Sequence, residues 1–206
     1  MKQQYSVYTI GYTAFPDKEK LLEVLKHYGI KCLIDVRSYP LSSEHYQFYS
    51  RVTLEPFLKE NGILYRNYAK EFGARQENPK YYMISNVDGQ SVRCVDFERF
   101  TNGPEFEKGV VKITKGLDLG YSFVLMCAEK DPIDCHRAIM ISRALSLRGF
   151  SVYHILHNTE LETQEHLDER LLQKYKYQPS FLQTREEQLK DAYKQRNKEI
   201  GYKGEH

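Results

Sequence analysis

Apolar positions recur along this chain in two rhythms: short β-favouring runs, and longer stretches with an apolar stripe at helical spacing. Residues 5–10 alternate and are rich in β-favouring side chains, which predicts a first strand broken by Gly11-Tyr12-Thr13. Pro16 opens a helical segment with Leu21, Leu22 and Leu25 on one face, closed at Tyr28-Gly29. A buried strand follows over residues 30–36, ending in Asp35-Val36-Arg37 and a Ser38-Tyr39-Pro40 turn. Thr53 is read as the cap of a short helix with Pro56 in its first turn, stopped by Asn61-Gly62, and residues 63–68 form the next strand.

Residues 69–100 show no long period. An Asp88-Gly89 pair between two β-prone runs suggests an inserted loop or small hairpin over the sheet edge. Residues 104–119 place Phe106, Val110, Ile113 and Leu117 on one helical face, although Gly109 and Gly116 weaken it. Residues 123–127 are almost wholly apolar, the pattern of a strand buried on both faces. Ala138, Ile141, Ala144 and Leu145 mark a helix over 138–147 that stops at Gly149, and 151–156 is another strand.

Strands alternating with helices imply an α/β, Rossmann-like three-layer domain with a largely parallel sheet over residues 1–158. Its βαβ crossovers are expected to be right-handed. From 159 to 206 the pattern is helical and mixed in charge, with Leu167, Leu171 and Leu172 on one helix. A Thr184–Glu187 capping box opens another that carries Leu189, Ala192, Tyr193 and Ile200. This C-terminal extension is expected to pack on the same domain.

Composition narrows the function. Of 206 residues, 41% are hydrophobic, enough for a core, and a formal charge of +2 gives no strong pull toward nucleic acid or an anionic membrane. Four scattered cysteines do not make a disulfide scaffold, and no segment approaches a membrane span. A reduced, cytoplasmic protein is the expectation.

The chemistry gathers in residues 127–137, between the apolar strand and the helix. Cys127, Glu129, Asp131, Asp134, Cys135, His136 and Arg137 share one polar loop at a strand's carboxyl end, where parallel sheets present their active face. A helix start offers unpaired N–H groups that stabilise an anion or a thiolate. Cys127 or Cys135 is the candidate nucleophile, with Glu129 or His136 moving the proton. Arg137 and Arg37 would hold an anionic group, and Asp35 would orient an arginine. Glu129, Asp131 and Asp134 would raise the thiol pKa unless Arg137 and Arg37 neutralise them. Each residue also has a plain structural use: Cys127 as a small core side chain, Asp131 or Asp134 as a helix cap, Arg137 as an ion-pair partner of Asp35.

Cys127, Glu129, Cys135, His136 and His154 are all metal-ligand types. Their spacing matches no paired Cys-x-x-Cys or His-Glu-x-x-His pattern, and adjacent Cys135 and His136 would need unusual geometry to share an ion. No residue is therefore assigned to a metal, and metal binding through Cys127, Cys135 and His136 stands as an alternative.

Four segments resemble the DUF488 family, a widespread set of proteins of unassigned function. They are Thr-Ile-Gly-Tyr near the N-terminus, Leu-Ile-Asp-Val-Arg-Ser-Tyr-Pro, Phe-Gly-Ala-Arg, and Leu-Met-Cys-Ala-Glu-Lys-Asp-Pro-Ile-Asp-Cys-His-Arg. The likeness runs over about residues 9–155. It implies an α/β domain and singles out Asp35, Arg37, Cys127, Glu129, Cys135, His136 and Arg137. Tyr12 and Arg75, in the matched segments, join the candidate binding set. Both segments also depart from the family pattern, at Tyr12 and where a double glycine is expected before Arg75. A more distant likeness is to rhodanese-type sulfurtransferases and their phosphatase relatives, whose Asp-Val-Arg strand end and Cys loop are similar to residues 33–37 and 123–152. That comparison implies Cys127 as nucleophile, but no Cys-x5-Arg cradle begins there.

The expectation is thus a small enzyme, a cysteine-dependent transferase or hydrolase, with an anion-binding pocket for a polar or anionic small substrate. The competing class is a nucleic-acid- or nucleotide-binding module. It would use the rings and charges of residues 65–82: Tyr65, Arg66, Tyr68, Lys70, Arg75, Lys80, Tyr81 and Tyr82.

Overall fold

The computed structural model describes residues 4–87 and 89–204. Its centre is a six-stranded sheet built from β1 (Ser6–Gly11), β2 (Cys32–Asp35), β3 (Leu64–Asn67), β6 (Phe123–Cys127), β7 (Ser151–Ile155) and β8 (Leu161–Thr163), ordered β3-β2-β6-β1-β7-β8. The first five are parallel and β8 runs antiparallel at the edge. This is the expected three-layer α/β architecture.

Strand periodicity divides the core. Val124 and Met126 face the side covered by α1 (Lys18–His27) and α2 (Arg51–Glu60), where they meet Leu21, Leu25, Leu54 and Leu58. Phe123, Leu125 and Cys127 face the other layer, with α5 (Pro104–Asp118) and the helices that follow β6. Gly116 on α5 packs against the Phe123 ring, and a Cβ there would come within 2.3 Å of Cζ. The glycine that weakened the helical pattern is therefore where strand and helix touch.

Several expectations change in detail. Helix α2 begins at Arg51, because the Thr53 and Leu54 amides donate to the Ser50 carbonyl; Ser50, not Thr53, is the N-cap. The irregular stretch holds α3 (Ala69–Phe72), an antiparallel hairpin of β4 (Tyr82–Val87) and β5 (Gln90–Val95), and α4 (Phe97–Thr101). Of the expected hairpin turn, Gly89 has φ 78° and Asp88 lies outside the described residues. The helix after β6 starts as a π-turn at Arg137–Ser142 before α6 (Arg143–Ser146), with Ser142 Oγ donating to the Arg137 carbonyl at 2.7 Å.

The C-terminal helices α7 (Gln164–Lys174) and α8 (Arg185–Ile200) bury Leu167, Leu171, Leu189 and Ala192 in the same core as the sheet, and the expected capping box opens α8. The sheet itself continues past residue 158 through β8. Three residues are too few to carry a readable alternation. Among the described residues no helix is long and apolar enough to cross a membrane.

Candidate active site

The carboxyl ends of β1, β2 and β6 lie side by side. Gly11 pairs with Cys127 and Asp35 with Met126. Gly11 is required here: a Cβ would sit 1.8 Å from the Glu129 carbonyl oxygen. The missing side chain lets the Cys127–Arg137 loop fold back over the end of β1, where the Thr13 hydroxyl and amide also hold the Ala128 carbonyl.

That fold gathers four reactive groups. One ligand atom from each of Cys127, Glu129, Cys135 and His136 lies within 4.8 Å of the others. Nδ1 of His136 is 3.6 Å from the Cys127 sulfur and 3.9 Å from that of Cys135, and the Cys135 thiol donates to Glu129 Oε2 at 2.7 Å. The spacing objection to adjacent Cys135 and His136 does not hold. Cys135 is extended (φ −127°, ψ 141°) and His136 is helical (φ −59°, ψ −24°), and this bend puts both side chains on one side. Nε2 of His136 lies 3.2 Å from the Val36 carbonyl oxygen, which places a proton on Nε2 and leaves Nδ1 facing the sulfurs.

Cys127, Cys135 and His136 are buried and Glu129 lies on the exposed loop; burial works against a charged His136, but Cys135 and Glu129 outweigh it and raise its pKa. Burial, then the neighbouring Cys135, push the Cys127 thiol well up. Burial opposes a Cys135 thiolate as well, but hydrogen bonding from Cys127, the Arg137 charge and His136 hold its pKa well below the ordinary value. Burial and Cys135 raise Glu129, so Glu129 and Cys135 share a proton between them. The more acidic sulfur is not the one on the cleft wall: Cys127 is 3% exposed and borders the opening, while Cys135 is 1% exposed beneath it.

Arg137 is placed differently from the anion ligand expected of it. It is fully buried, its guanidinium donating to the carbonyls of Glu129 (2.6 Å) and Lys130 (3.3 Å), and its backbone N–H points at the Cys135 sulfur at 3.4 Å. It shapes the loop and supplies charge from below. Nor do Arg137 and Arg37 neutralise the loop's acids. Asp131 pairs with Arg170 of α7 at 2.6 Å, and Asp134 with Arg196 of α8. Burial works against the Asp131 charge, but Arg170 outweighs it and holds that carboxyl below the usual range. Asp131 also caps the turn at Pro132–Asp134, accepting from the Ile133 amide.

Asp35 does orient an arginine. It takes Nε (2.9 Å) and Nη2 (2.5 Å) of Arg37 and the Tyr65 hydroxyl at 2.7 Å, while Arg37 also donates to Tyr49 O and Ser42 Oγ. The Tyr12 ring lies 5.0 Å from the Arg37 guanidinium.

Above these groups opens a cleft of about 340 Å³. Cys127, Glu129, Asp134 and His136 line it together with Tyr12, Arg37, Tyr39, Arg75, Ile200 and Tyr202. Arg75 is exposed, with its guanidinium against the rings of Tyr39 (4.9 Å) and Tyr202 (4.7 Å). From the sequence Tyr39 is a turn residue within a family-like segment and Ile200 a helix residue; neither of them, nor Tyr202, is marked there as lining a site. Tyr202 arrives because its carbonyl accepts from the Val95 amide at 3.1 Å, docking the chain end on the hairpin. A larger cavity of about 470 Å³ between α4, α6 and α8 contains none of the four clustered groups.

The rings of residues 65–82 do not form one platform. Tyr65 is buried on Asp35, Tyr81 bonds Glu105, Tyr82 bonds the Gln76 carbonyl, and Tyr68 packs under Lys112.

No curated protein and no solved structure matches the chain. The sequence profile for the domain of unknown function DUF488 matches residues 17–144, which include the Asp35–Arg37 pair and the whole cysteine loop, and the chain belongs to that family.

Proposed function

We propose that this chain is an enzyme for a small polar or anionic substrate, bound in the cleft over β1, β2 and β6 and transformed at its Cys127–Glu129–Cys135–His136 border. One observation carries the reading. The groups able to move protons or bind an electrophile border the same opening as Arg75, a cation held between two tyrosine rings with no ion pair among the described residues. Arg37 is largely spent on Asp35, Tyr49 and Ser42, so Arg75 is the main receptor for a carboxylate or phosphate and Arg37 stiffens the wall behind it.

Glu129 is the proton carrier. The residue is exposed on its loop, but desolvation of its carboxyl and the neighbouring Cys135 raise its pKa, and it reaches both the cluster and the cleft. A lone thiolate nucleophile has less support, because the sulfur at the opening is the one burial keeps protonated. The four groups act as a unit.

The test is thermal unfolding with phosphate, a dicarboxylate and a nucleoside monophosphate, comparing the native chain with Arg75→Ala. At least one anion should stabilise the native chain, by about 2.7 kcal/mol at a hundredfold excess over Kd. Arg75→Ala should lose that gain, and added salt should weaken it. Equal responses of the two proteins to every anion would remove the reading.

A further inference from the structure

We infer that Cys127, Cys135 and His136 form a site for a zinc-type divalent metal ion, with Glu129 beside its open side as the base for a bound water. The geometry stands by itself; the chemical use rests on the cleft being an active site.

Distances separate ligands from base. With metal–sulfur bonds near 2.3 Å and metal–nitrogen bonds of about 2.0–2.1 Å, tetrahedral donors lie roughly 3.5 Å apart for S···N and about 3.8 Å for S···S. Nδ1 of His136 is 3.6 and 3.9 Å from the two sulfurs. Glu129 Oε2 is 2.7 Å from the Cys135 sulfur, well inside the roughly 3.5 Å that a sulfur and an oxygen bound to one ion would keep, so it stands as a direct contact of that sulfur. The histidine–sulfur spacings fit three ligands of one ion, the two sulfurs lying within 4.8 Å of each other, and the carboxylate stands as their neighbour.

The surroundings agree with that assignment. A ligating imidazole ordinarily donates its other N–H to a fixed acceptor, and His136 gives Nε2 to the Val36 carbonyl. Two thiolates balance a dication, so the buried cluster would hold a neutral unit, with Arg137 beneath to offset Glu129. Two sulfurs and a nitrogen select a thiophilic ion over magnesium or calcium. The loop is stiff because Arg170 and Arg196 tie Asp131 and Asp134 to α7 and α8. Cys127, Glu129 and His136 border the cleft, so a fourth coordination position opens toward the substrate.

The chemistry that follows is hydrolytic. Glu129 takes one proton from a water held at the open position, and that water's oxygen bonds to an electrophilic carbon of the substrate. The bond from that carbon to the leaving group breaks with its electron pair, and Glu129 returns the proton to the leaving group. Water is split across one substrate bond and no oxidation state changes.

Zinc or cobalt(II) loading of the purified full chain, followed by gel filtration and elemental analysis, tests the site. About one ion per chain is expected, and the cobalt form should show thiolate-to-metal charge transfer with the intense visible bands of tetrahedral coordination. Cys127→Ser, Cys135→Ser and His136→Gln should each weaken binding by 10-fold or more. Glu129→Gln should keep the ion and the tetrahedral bands. The cobalt spectrum of the native chain reads the ligand set even where a cysteine variant fails to fold. A native chain that retains no ion after loading overturns the site, while leaving the anion response of Arg75 intact. Metal loss in Glu129→Gln as complete as in the cysteine variants overturns the base and makes Glu129 a ligand.

Discussion

Nε of Arg196 donates to the carbonyl oxygen of Ile133 at 3.0 Å, joining the last helix to the turn that immediately precedes Cys135. The same guanidinium pairs with Asp134, and its side chain is only 9% exposed. Replacing Arg196 with Ala leaves the Ile133 carbonyl without this donor and frees the turn, at an expected cost of about 1–3 kcal/mol. The sulfurs should then label faster, because Cys127 and Cys135 owe their shielding to the folded loop. Labelling with a coloured disulfide reagent under native conditions measures this. An unchanged rate alongside reduced stability would mean that Arg196 supports the helix and not the loop.

Gly11 tests the loop from the opposite side. In Gly11→Ala the new methyl would overlap the Glu129 carbonyl, and Arg137 Nη2 is a further 3.1 Å neighbour. Overpacking of this kind costs about 1–3 kcal/mol, occasionally more. Gly120→Ala is the control. Gly120 has φ 78° and open space around it, so the change there costs about 1–2 kcal/mol of backbone strain and leaves the site alone. Ligand or ion binding should fail in the first variant and persist in the second. Equal retention in both would show that the loop can move aside.

How much of this was legible follows from where the information lies. β1, β2, β6 and β7 each carry a local pattern, and Asp35, Arg37, Cys127, Glu129, Cys135 and His136 sit at strand ends or in one loop, so order along the chain is enough to bring them together. Arg170 and Arg196 looked like members of solvated, mixed-charge helices, because nothing local separates an exposed arginine from one that pins a distant turn. Arg137 reads as an anion ligand from its position at a helix start, and only the fold shows its Nη1 and Nη2 bonded to carbonyls of its own loop. The departure at Tyr12 has a partner in Arg37, whose guanidinium lies over its ring. The convergence of Cys135 and His136 turned on two dihedral pairs that no spacing rule encodes.

His154 gives the chain a pH dependence of known sign. It is fully buried, with Thr9 Oγ1 2.7 Å from Nδ1 and Gln164 Oε1 3.1 Å from Nε2. Thr9 comes from β1 and Gln164 from α7, while Arg137 and Arg170 add positive charge and Cys135 opposes them. Burial, then Arg137, push its pKa down to about 3. The unfolded chain takes up this proton below about 6.5 and the folded chain does not, so its share of stability is complete above that pH. As pH falls toward 3 that share is lost, at up to about 1.4 kcal/mol per unit. Urea midpoints from pH 7 to 4 for the native chain and His154→Asn isolate the contribution: the native curve should fall more steeply. Parallel curves would mean that His154 is already charged or exposed in the fold.

Arg37 lines the cleft and Asp35 holds it from behind, so removing this pair should be the most costly change proposed. Asp35 is wholly buried, and its oxygens are satisfied by the Arg37 fork, the Arg37 amide and the Tyr65 hydroxyl. Arg37→Ala strands a carboxylate in a low-dielectric setting and takes a donor from the Tyr49 carbonyl, for which about 3–5 kcal/mol is expected. Arg37→Lys keeps the charge but cannot reproduce the fork that reaches Asp35, Ser42 and Tyr49 together, so it should recover only part of that loss. Asp35→Asn reverses the imbalance by leaving the guanidinium short of an anion; if that vacancy invites one, added phosphate should stabilise Asp35→Asn more than the native chain. Chemical denaturation of the three variants with and without phosphate reads all of this. A loss below about 1 kcal/mol in Arg37→Ala would place the pair in solvent, as for a surface salt bridge.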